Sequence, residues 1–508
     1  MATRFTGGSI DVKLASEMKE SRPVADPDTP FCVAVIGDFS GRGNRGVETP
    51  GVLSNRRAYR IDRDNFSEVM SQLKVELRLA IFGKNSQPVT LHIAALDDFH
   101  PDRLFDNLEI FTPFKEIRHS LKDPAAFVAV DKQLEPPTRS SGTPASQRAP
   151  EPTGNLLDQI IEATDDKSPQ STSRPPSDLD EFVRQVVKPH LQPKPNPMHA
   201  ELMAKTDAAI SELMRKILHD TDFQAMEAAW RGLYFLVSQL ETNENLKLFL
   251  VDISKAELAA DLLEPDEITA TELYKLLVKQ TAESEDEEPW SVLAGNFTFD
   301  QTREDAEVLG RMAKLAQAMG APFIAAAHPR FLGCESLAAT PDPDDWSPPT
   351  DNDNRRACEA LRKLPEASFL GLALPRFILR LPYGKDTDPI ERLDFEEMAA
   401  TPAHEEYLWG NPCYACVYLM AQAFTQQGWN FRPGIVQDIN GLPLHIYKEH
   451  GESRTKPCAE AILSVRAAEA ILNQGFMPLL SFIHRDVLRL ARFQSWANPP
   501  TELFGRWS

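Results

Sequence analysis

The sequence has no long apolar run and few cysteines. No stretch approaches the roughly eighteen apolar residues that a membrane-crossing helix needs. The first ten residues are polar and lack the apolar core of a secretory signal. Only 6 cysteines are present, scattered and without the spacing of a disulfide framework. These absences predict a cytoplasmic protein that does not insert into membranes and whose reduced cysteines pack as small apolar side chains.

Basic residues are also in short supply. Lys and Arg number 54 against 75 Asp and Glu, which gives a net charge of −21. A protein that follows a phosphate backbone needs a basic face, so nucleic acid is not expected as a partner. The composition is otherwise that of a globular protein, with 42% hydrophobic and 25% charged residues.

Proline is unevenly distributed, and its clustering marks the predicted domain boundaries. Many of the 40 prolines fall among Ser, Thr and Gln between residues 133 and 199. A segment of this composition cannot bury enough apolar surface to fold by itself, so it predicts a flexible linker. The predicted organisation is an N-terminal arm over 1–30, a small domain over 31–132, the linker over 133–199 and a large domain over 200–508.

Apolar stretches of strand length alternate with helical patterns along both predicted domains. Such alternation is typical of α/β folds with a largely buried sheet. Helices are predicted over Pro101–Leu121 and Arg303–Met319, among others. We therefore predict two α/β lobes, and the apolar face that each lobe leaves uncovered predicts one shared interface. The predicted strands are Phe31–Ile36, Val89–Leu96, Leu246–Ile253, Ser291–Phe299, Pro322–Ala327 and Phe369–Leu374.

One glycine motif has the form that binds a dinucleotide. Gly41 to Gly46 spell G-x-G-x-x-G directly after a predicted strand. The motif works only where the glycine turn opens a helix whose N-terminus holds the pyrophosphate. Here Pro50 and Gly51 follow closely and break a helix, so the motif favours a flexible turn. A cytosolic nucleotide-dependent α/β enzyme is a remote alternative that depends on this motif alone.

Two other motifs have both a chemical and a structural interpretation. Asp97–Asp102 offers metal-type ligands at close spacing, but acidic residues beside Pro101 also suit a helix start. Cys413 and Cys416 form a C-x-x-C pair, but they run into an apolar helical pattern that favours core packing. No set of residues forms a catalytic motif, so the sequence predicts no catalytic site, no metal and no cofactor.

The predicted linker contains a short segment with a helical pattern, over 155–163. Asn155 can cap this helix, and four apolar side chains lie along one stripe. An apolar stripe on a tether is typical of a short docking segment that fits a groove, although it could also dock back onto its own chain. The stripe consists of Leu156, Leu157, Ile160 and Ile161.

The N-terminal arm contains a second candidate contact segment. Ile10, Val12 and Leu14 alternate with polar residues, as in a half-exposed strand. A stretch with several prolines between Pro23 and Pro30 joins this segment to the first domain. The pattern therefore predicts a strand that can reach a neighbouring molecule.

Two sets of motifs resemble the contractile sheath of type VI secretion. Three stretches over 35–42, 61–66 and 96–102 resemble its small subunit (TssB/VipA), and much of 200–495 resembles its large subunit (TssC/VipB). The resemblance implies a contractile-tail-sheath-like α/β fold. The large-subunit signature residues are Trp230, Arg231, Gly232, Pro375, Arg376, Arg380, Pro382, Tyr383, Gly384, Trp409, Gly410, Asn411, Gly428 and Trp429.

The resemblance implies a structural role, with no enzymatic activity. In the family, small and large subunits form heterodimers that polymerise around an Hcp inner tube, and contraction propels that tube. The AAA+ ATPase ClpV recycles the contracted sheath. The predicted linker helix over 155–163 resembles the segment that ClpV recognises. The strand over 9–14 matches the place where the small subunit donates a linking strand. The implied partners are sheath subunits, Hcp, ClpV and baseplate proteins.

The sequence departs from the family pattern in two respects. The two subunits are fused through the linker, and the sequence ends at Ser508 without the C-terminal domain of the large subunit. We therefore expect either a sheath subunit or a sheath-like accessory that caps or regulates a complete sheath. On the second alternative, the protein alone forms discrete small oligomers instead of long tubules.

Overall fold

The computed structural model of the chain describes residues 5–6, 9–10, 25–47, 53–83, 86–122, 197–279, 288–347 and 352–507. The predicted linker stripe Leu156–Ile161 lies outside these residues, as do Val12 and Leu14. None of the helices in the described segments is both long enough and apolar enough to span a membrane.

The strands of the described segments form one large sheet and four two-stranded sheets. The large sheet has nine strands in the order β13-β17-β16-β10-β9-β8-β3-β7-β4. Its six inner strands, from β16 to β7, are parallel, and the strands at its two ends pair antiparallel. The strands are β1 Phe5–Thr6, β2 Ser9–Ile10, β3 Phe31–Gly37, β4 Tyr59–Ile61, β5 Val75–Leu79, β6 Val89–Ile93, β7 Leu246–Asp252, β8 Trp290–Phe299, β9 Phe323–Ala327, β10 Leu370–Leu374, β11 Phe377–Ile378, β12 Trp409–Gly410, β13 Asp438–Ile439, β14 His445–Glu449, β15 Glu452–Lys456, β16 Met477–Ser481 and β17 Leu488–Leu490.

Helices cover both faces of the large sheet. Each face has its own apolar cluster, and consecutive side chains of β3 alternate between the two clusters. The α-helices of more than three residues are α1 Arg42–Arg45, α2 Phe66–Leu73, α3 Pro101–Asn107, α4 Thr112–Lys122, α5 Pro197–Leu218, α6 Thr221–Gln239, α7 Lys255–Leu263, α8 Arg303–Met319, α9 Asp353–Arg362, α10 Pro412–Gln427 and α11 Val465–Asn473.

The prediction of an α/β fold with a buried sheet is confirmed, and the two predicted lobes contribute strands to the same large sheet. Strand β3, from the first region, lies in the interior of the sheet, between β7 and β8 of the second region. All seven of its residues are buried. A strand that is apolar on both sides must be covered on both sides, and the second region supplies that cover. The predicted shared interface is therefore a continuous sheet.

Some predicted elements differ from the observed ones. The helix predicted over Pro101–Leu121 is two helices, α3 and α4, separated by a 3₁₀ turn at Glu109–Phe111. Pro113 explains the break, since proline interrupts the hydrogen bonding of a continuous helix. In the arm, Ile10 ends β2, which pairs with β1 of the same chain.

Candidate functional site

The carboxyl end of β3 forms a tight turn around one carboxylate. Asp38 accepts hydrogen bonds from the backbone N–H groups of Gly41, Arg42 and Gly43, at 2.8, 2.9 and 2.7 Å. These are the groups that a bound pyrophosphate would require. A Cβ on Gly41 would lie 2.3 Å from the carbonyl oxygen of Glu76, and its φ is +80°. The glycine motif therefore builds an ordered turn around Asp38, where the sequence predicted a flexible one.

The end of the neighbouring strand β7 holds the same turn from the other side. Asp252 accepts hydrogen bonds from the N–H of Phe39 at 2.8 Å and from both the N–H and the hydroxyl of Ser40, at 3.1 and 2.7 Å. The indole N–H of Trp230 donates to the carbonyl oxygen of Phe39 at 2.9 Å. Burial raises the pKa of Asp252 in spite of the Ser40 hydrogen bond. These contacts join the first region to two elements of the second.

An ion-pair triad completes this junction. Glu257, in the first turn of α7, binds Arg42 and Arg56 of the first region, with its Oε1 atom 2.8 and 2.5 Å from their Nη2 atoms. Only 3% of the Glu257 side chain is exposed. Burial disfavours the ionised form, but the hydrogen bonds from Arg56 and Arg42 outweigh it and hold the pKa of Glu257 at about 2. We call Asp38, Ser40, Arg42, Arg56, Asp252 and Glu257 the junction site.

A second polar cluster lies in the interior of the second region. The Arg380 guanidinium forms ion pairs with Glu227 at 2.8 Å and with Glu397 at 2.7 Å, and both carboxylates are fully buried. Arg231 binds Glu227 at 2.6 Å and donates to the hydroxyl of Tyr383 at 2.9 Å. Two arginines and two glutamates thus form a charge-balanced network. It ties helix α6 to the segment that follows β11.

The pKa values in this network favour the ionised state. Burial works against ionisation of Glu397, but Arg380 outweighs it and holds the pKa of Glu397 at about 2. The pKa of Arg380 is raised well above its ordinary value by Glu227 and Glu397, despite its burial. Glu397 and Arg380 therefore favour their charged forms and pair with each other, which is the arrangement of a structural network.

Arg376 belongs to a third cluster, near the surface. Its guanidinium binds Glu460 at 2.5 Å and Glu405 at 3.3 Å. His404 also lies 3.3 Å from Glu460, and its ring stacks on Trp409 at 4.9 Å between centroids. Burial raises the pKa of Glu460, but His404 and Arg376 outweigh this effect and hold the pKa at about 2. Arg376 is thus engaged within the chain.

Three of the four signature glycines lie where another side chain approaches closely, and the fourth has a positive φ. A Cβ on Gly232 would lie 2.3 Å from the ring of Tyr414, and one on Gly410 would lie 2.7 Å from Leu379. At Gly384 it would lie 2.2 Å from Glu396. Gly428 has a φ of +57°, which favours glycine.

The other signature residues position elements. Asn411 caps α10 by accepting from the N–H of Cys413, and its own amide donates to the carbonyl of Phe297 at 3.1 Å. The indole of Trp429 donates to the carbonyl of Thr29 at 2.6 Å, just before β3. Pro375 and Pro382 flank the strand β11 within the same signature stretch.

The two motifs with a chemical alternative are both part of the packing. Cys413 and Cys416 are fully buried in α10, and burial raises the pKa of Cys416 to about 12. In Asp97–Asp102, the side chain of His100 caps α3, and Asp98 accepts from the N–H groups of Ala94 and Ala95. The described segments contain no group of three or more His, Cys, Asp or Glu side chains that could hold a metal.

Sequence reasoning missed the acidic half of these clusters. It singled out Arg231, Arg376 and Arg380, but not their partners Glu227, Glu397 and Glu460. Of the junction site, the stretch over 35–42 that resembles the small subunit contains Asp38, Ser40 and Arg42. Glu257 could have been found from its spacing to Ser254, which is that of the capping box that begins α7.

The site defines a protein in which two regions build one sheet and are joined by buried charges. Residues 200–496 match the family model VipB (EvpB/VC_A0108, tail sheath N-terminal domain). Residues 10–136 match a second model, described as type VI secretion system, VipA, VC_A0107 or Hcp2. The chain therefore belongs to the tail sheath family of type VI secretion and carries its small- and large-subunit regions in one polypeptide.

A curated relative matches more than half of the chain. The type VI secretion system sheath protein TssC1 of Pseudomonas aeruginosa is 34% identical over 304 residues. The match covers 59% of this chain and 61% of that relative.

Proposed function

We propose that the chain is a structural component of a type VI contractile sheath, in which the fused small and large regions form one protomer. The main support is the position of β3, which comes from the VipA-like region and lies between two strands of the VipB-like region. The junction site holds the two regions together through the ion pairs of Glu257 and the hydrogen bonds that Asp252 accepts. We also propose the division into arm, small region, linker and large region at 1–30, 31–132, 133–199 and 200–508.

Assembly tests this proposal directly. The full chain is expressed alone and together with an Hcp-type tube protein, and is then examined by sedimentation and negative-stain electron microscopy. A sheath subunit gives regular helical assemblies, whereas a capping accessory gives discrete small oligomers that bind only complete sheath subunits. A monomer that associates with neither tube protein nor sheath subunits contradicts both forms of the proposal.

The apolar stripe of the predicted linker helix is our candidate for ClpV recognition. We propose that Leu156, Leu157, Ile160 and Ile161 contact the ATPase, since four apolar side chains on one helical stripe suit a groove. Leu157→Asp with Ile160→Asp should abolish co-purification with ClpV, whereas Asp158→Asn with Gln159→Glu should not. Equal binding of ClpV by both double variants would argue against recognition of this segment.

The alternating segment Ile10, Val12 and Leu14 is our candidate for strand donation to a neighbouring protomer. Val12→Pro should reduce association with sheath subunits, because proline removes a donor from the added strand. Lys13→Pro is the matched control, since the donor it removes points to the opposite edge of the strand. Unchanged association in both variants contradicts strand donation.

A further inference from the structure

Away from the junction site, a cavity of about 440 Å³ lies between helices α9 and α11. Its volume falls within the range of roughly 300–1,000 Å³ that is typical of small-molecule sites. Gln301, Pro343 and Gln474 line parts of its wall, and Cys358 lies on its α9 side. Neither the family signature nor the junction site includes these residues.

Aromatic rings form much of the cavity wall. Phe331, Trp346, Phe476 and Trp496 all line it. Phe331 lies 5.3 Å from both Phe476 and Trp496, measured between ring centroids. A wall of this kind favours a flat apolar ligand body, which can stack or meet the rings edge to face.

The charges in the wall do not balance. Arg355 forms an ion pair with Glu359 at 2.8 Å, so these two charges cancel. Arg362 has no carboxylate partner among the described residues. Its Nε and Nη2 atoms donate to the carbonyl oxygens of Trp496 and Ala497, at 3.0 and 3.5 Å. The wall therefore carries one net positive charge, although the whole chain carries −21.

The surroundings hold the Arg362 guanidinium in place at the cavity. It lies over the ring of Trp496, 5.7 Å from the centroid, and a Cβ on Gly475 would lie 3.1 Å from its Nη2 atom. Burial lowers the pKa of Arg362, despite the nearby charge of Glu359. Asp342 and Asp344 flank Pro343, but both bind Arg466, at 2.7 and 2.5 Å.

We propose that this cavity binds a low-molecular-weight aromatic carboxylate, with the carboxylate on Arg362 and the ring system among the aromatic side chains. A guanidinium matches a carboxylate with two parallel hydrogen bonds, and such charge-assisted bonds are stronger than neutral ones. The Nη1 atom of Arg362 makes no hydrogen bond to any described residue and is free for this contact. The inference does not depend on the sheath proposal.

The test is calorimetric titration of the full chain with 1-naphthylacetate and with its neutral amide, 1-naphthylacetamide. The acid should bind about tenfold more tightly than the amide, because only the acid gains a charge-assisted pair. Arg362→Gln should remove this preference. Arg356→Gln, on the same helix but outside the cavity wall, should keep it.

A further variant keeps the proposal falsifiable if Arg362→Gln does not fold. Ala470→Trp places a large ring in the cavity from α11 and should abolish binding of both compounds. Absence of binding in the millimolar range overturns the proposal, as does equal affinity of acid and amide. A preference for the acid that survives Arg362→Gln, or binding that survives Ala470→Trp, overturns it too.

Discussion

At the scale of single residues, the molecule depends on charges that are buried and paired. Arg380 bonds to Glu227 and Glu397 at once, and neither carboxylate is exposed. Removing one member of such a network leaves the opposite charge without compensation in a medium of low dielectric. The network therefore makes the segment after β11 dependent on one guanidinium.

We expect Arg380→Met to destabilise the protein by about 3–5 kcal/mol, because it removes the guanidinium that pairs with the buried carboxylates of Glu397 and Glu227. Chemical denaturation followed by circular dichroism measures this loss. The control is Arg392→Met, since Arg392 is 54% exposed and its pair with Asp106 should contribute at most about 1 kcal/mol. Equal losses in the two variants would show that the Arg380 network does not matter for stability.

Acid should weaken the junction site through Glu257. The pKa of Glu257 is about 2 in the folded protein, against an ordinary value of 4.5. A depressed pKa contributes stability above the ordinary value, and this contribution is lost as the pH falls from about 4.5 toward 2. The stability difference between wild type and Glu257→Gln should therefore shrink between pH 5 and pH 3.

Denaturation series at several pH values measure this difference, with Glu469→Gln as the exposed control. A difference that stays constant across the acid range would mean that Glu257 is not held ionised by Arg42 and Arg56.

At the scale of elements, the packing of α6 on α10 depends on the absence of one side chain. A Cβ on Gly232 of α6 would lie 2.3 to 2.7 Å from ring atoms of Tyr414 in α10. The hydroxyl of Tyr414 also donates to the carbonyl of Ala229 at 3.0 Å, so the ring cannot move without losing that bond. The two helices are thus held at one distance.

We expect Gly232→Ala to destabilise the protein by about 1–3 kcal/mol, because the added methyl forces the two helices apart. Gly310→Ala is the matched control in α8, where the nearest atom to the new Cβ is Leu361 Cδ1 at 3.4 Å. That variant should be neutral or more stable by up to about 1 kcal/mol, since alanine favours a helix. Thermal unfolding distinguishes the two variants by their midpoint temperatures. Equal midpoint temperatures for Gly232→Ala and Gly310→Ala would contradict the close approach of Gly232 to Tyr414.

The sequence predicted elements well where burial was periodic or continuous. Helix α8 was predicted with its observed bounds, Arg303–Met319, and the five strands predicted for the large sheet were placed to within one residue of their ends. The strand predicted over Val89–Leu96 ends three residues earlier, at Ile93. The hairpin of β14 and β15 was missed because its residues are mostly polar and partly exposed. Such a hairpin has no regular pattern of apolar residues from which its strands could be predicted.

The sites were less predictable than the elements. Arg380 and Glu227 are 153 positions apart, and Phe39 and Asp252 are 213 apart. No local pattern relates residues at these separations, so the junction site and the buried network required the fold. The resemblance marked the arginines, but only the structure identified their partners.

At the scale of the whole molecule, the two regions should hold together without the covalent link. We expect that cleavage at a protease site introduced near Ser140 leaves the two pieces co-eluting on a sizing column, because β3 stays hydrogen-bonded to β7 and β8. Val35→Asp places a charge at a fully buried position of β3 and should make the cleaved pieces separate. Separate elution of two stable pieces without that substitution contradicts the single sheet.

The interior position of β3 also has a consequence for synthesis on the ribosome. Cys32 of β3 hydrogen-bonds to Ser291 at the start of β8, and the two are 259 residues apart. At roughly 5–20 residues per second, a wholly apolar strand leaves the exit tunnel many seconds before both of its neighbours exist. During that interval its two edges can pair with other nascent chains. During translation of such a fused chain, β3 therefore passes through a stage with unpaired edges, which its interior position in the finished sheet does not reveal.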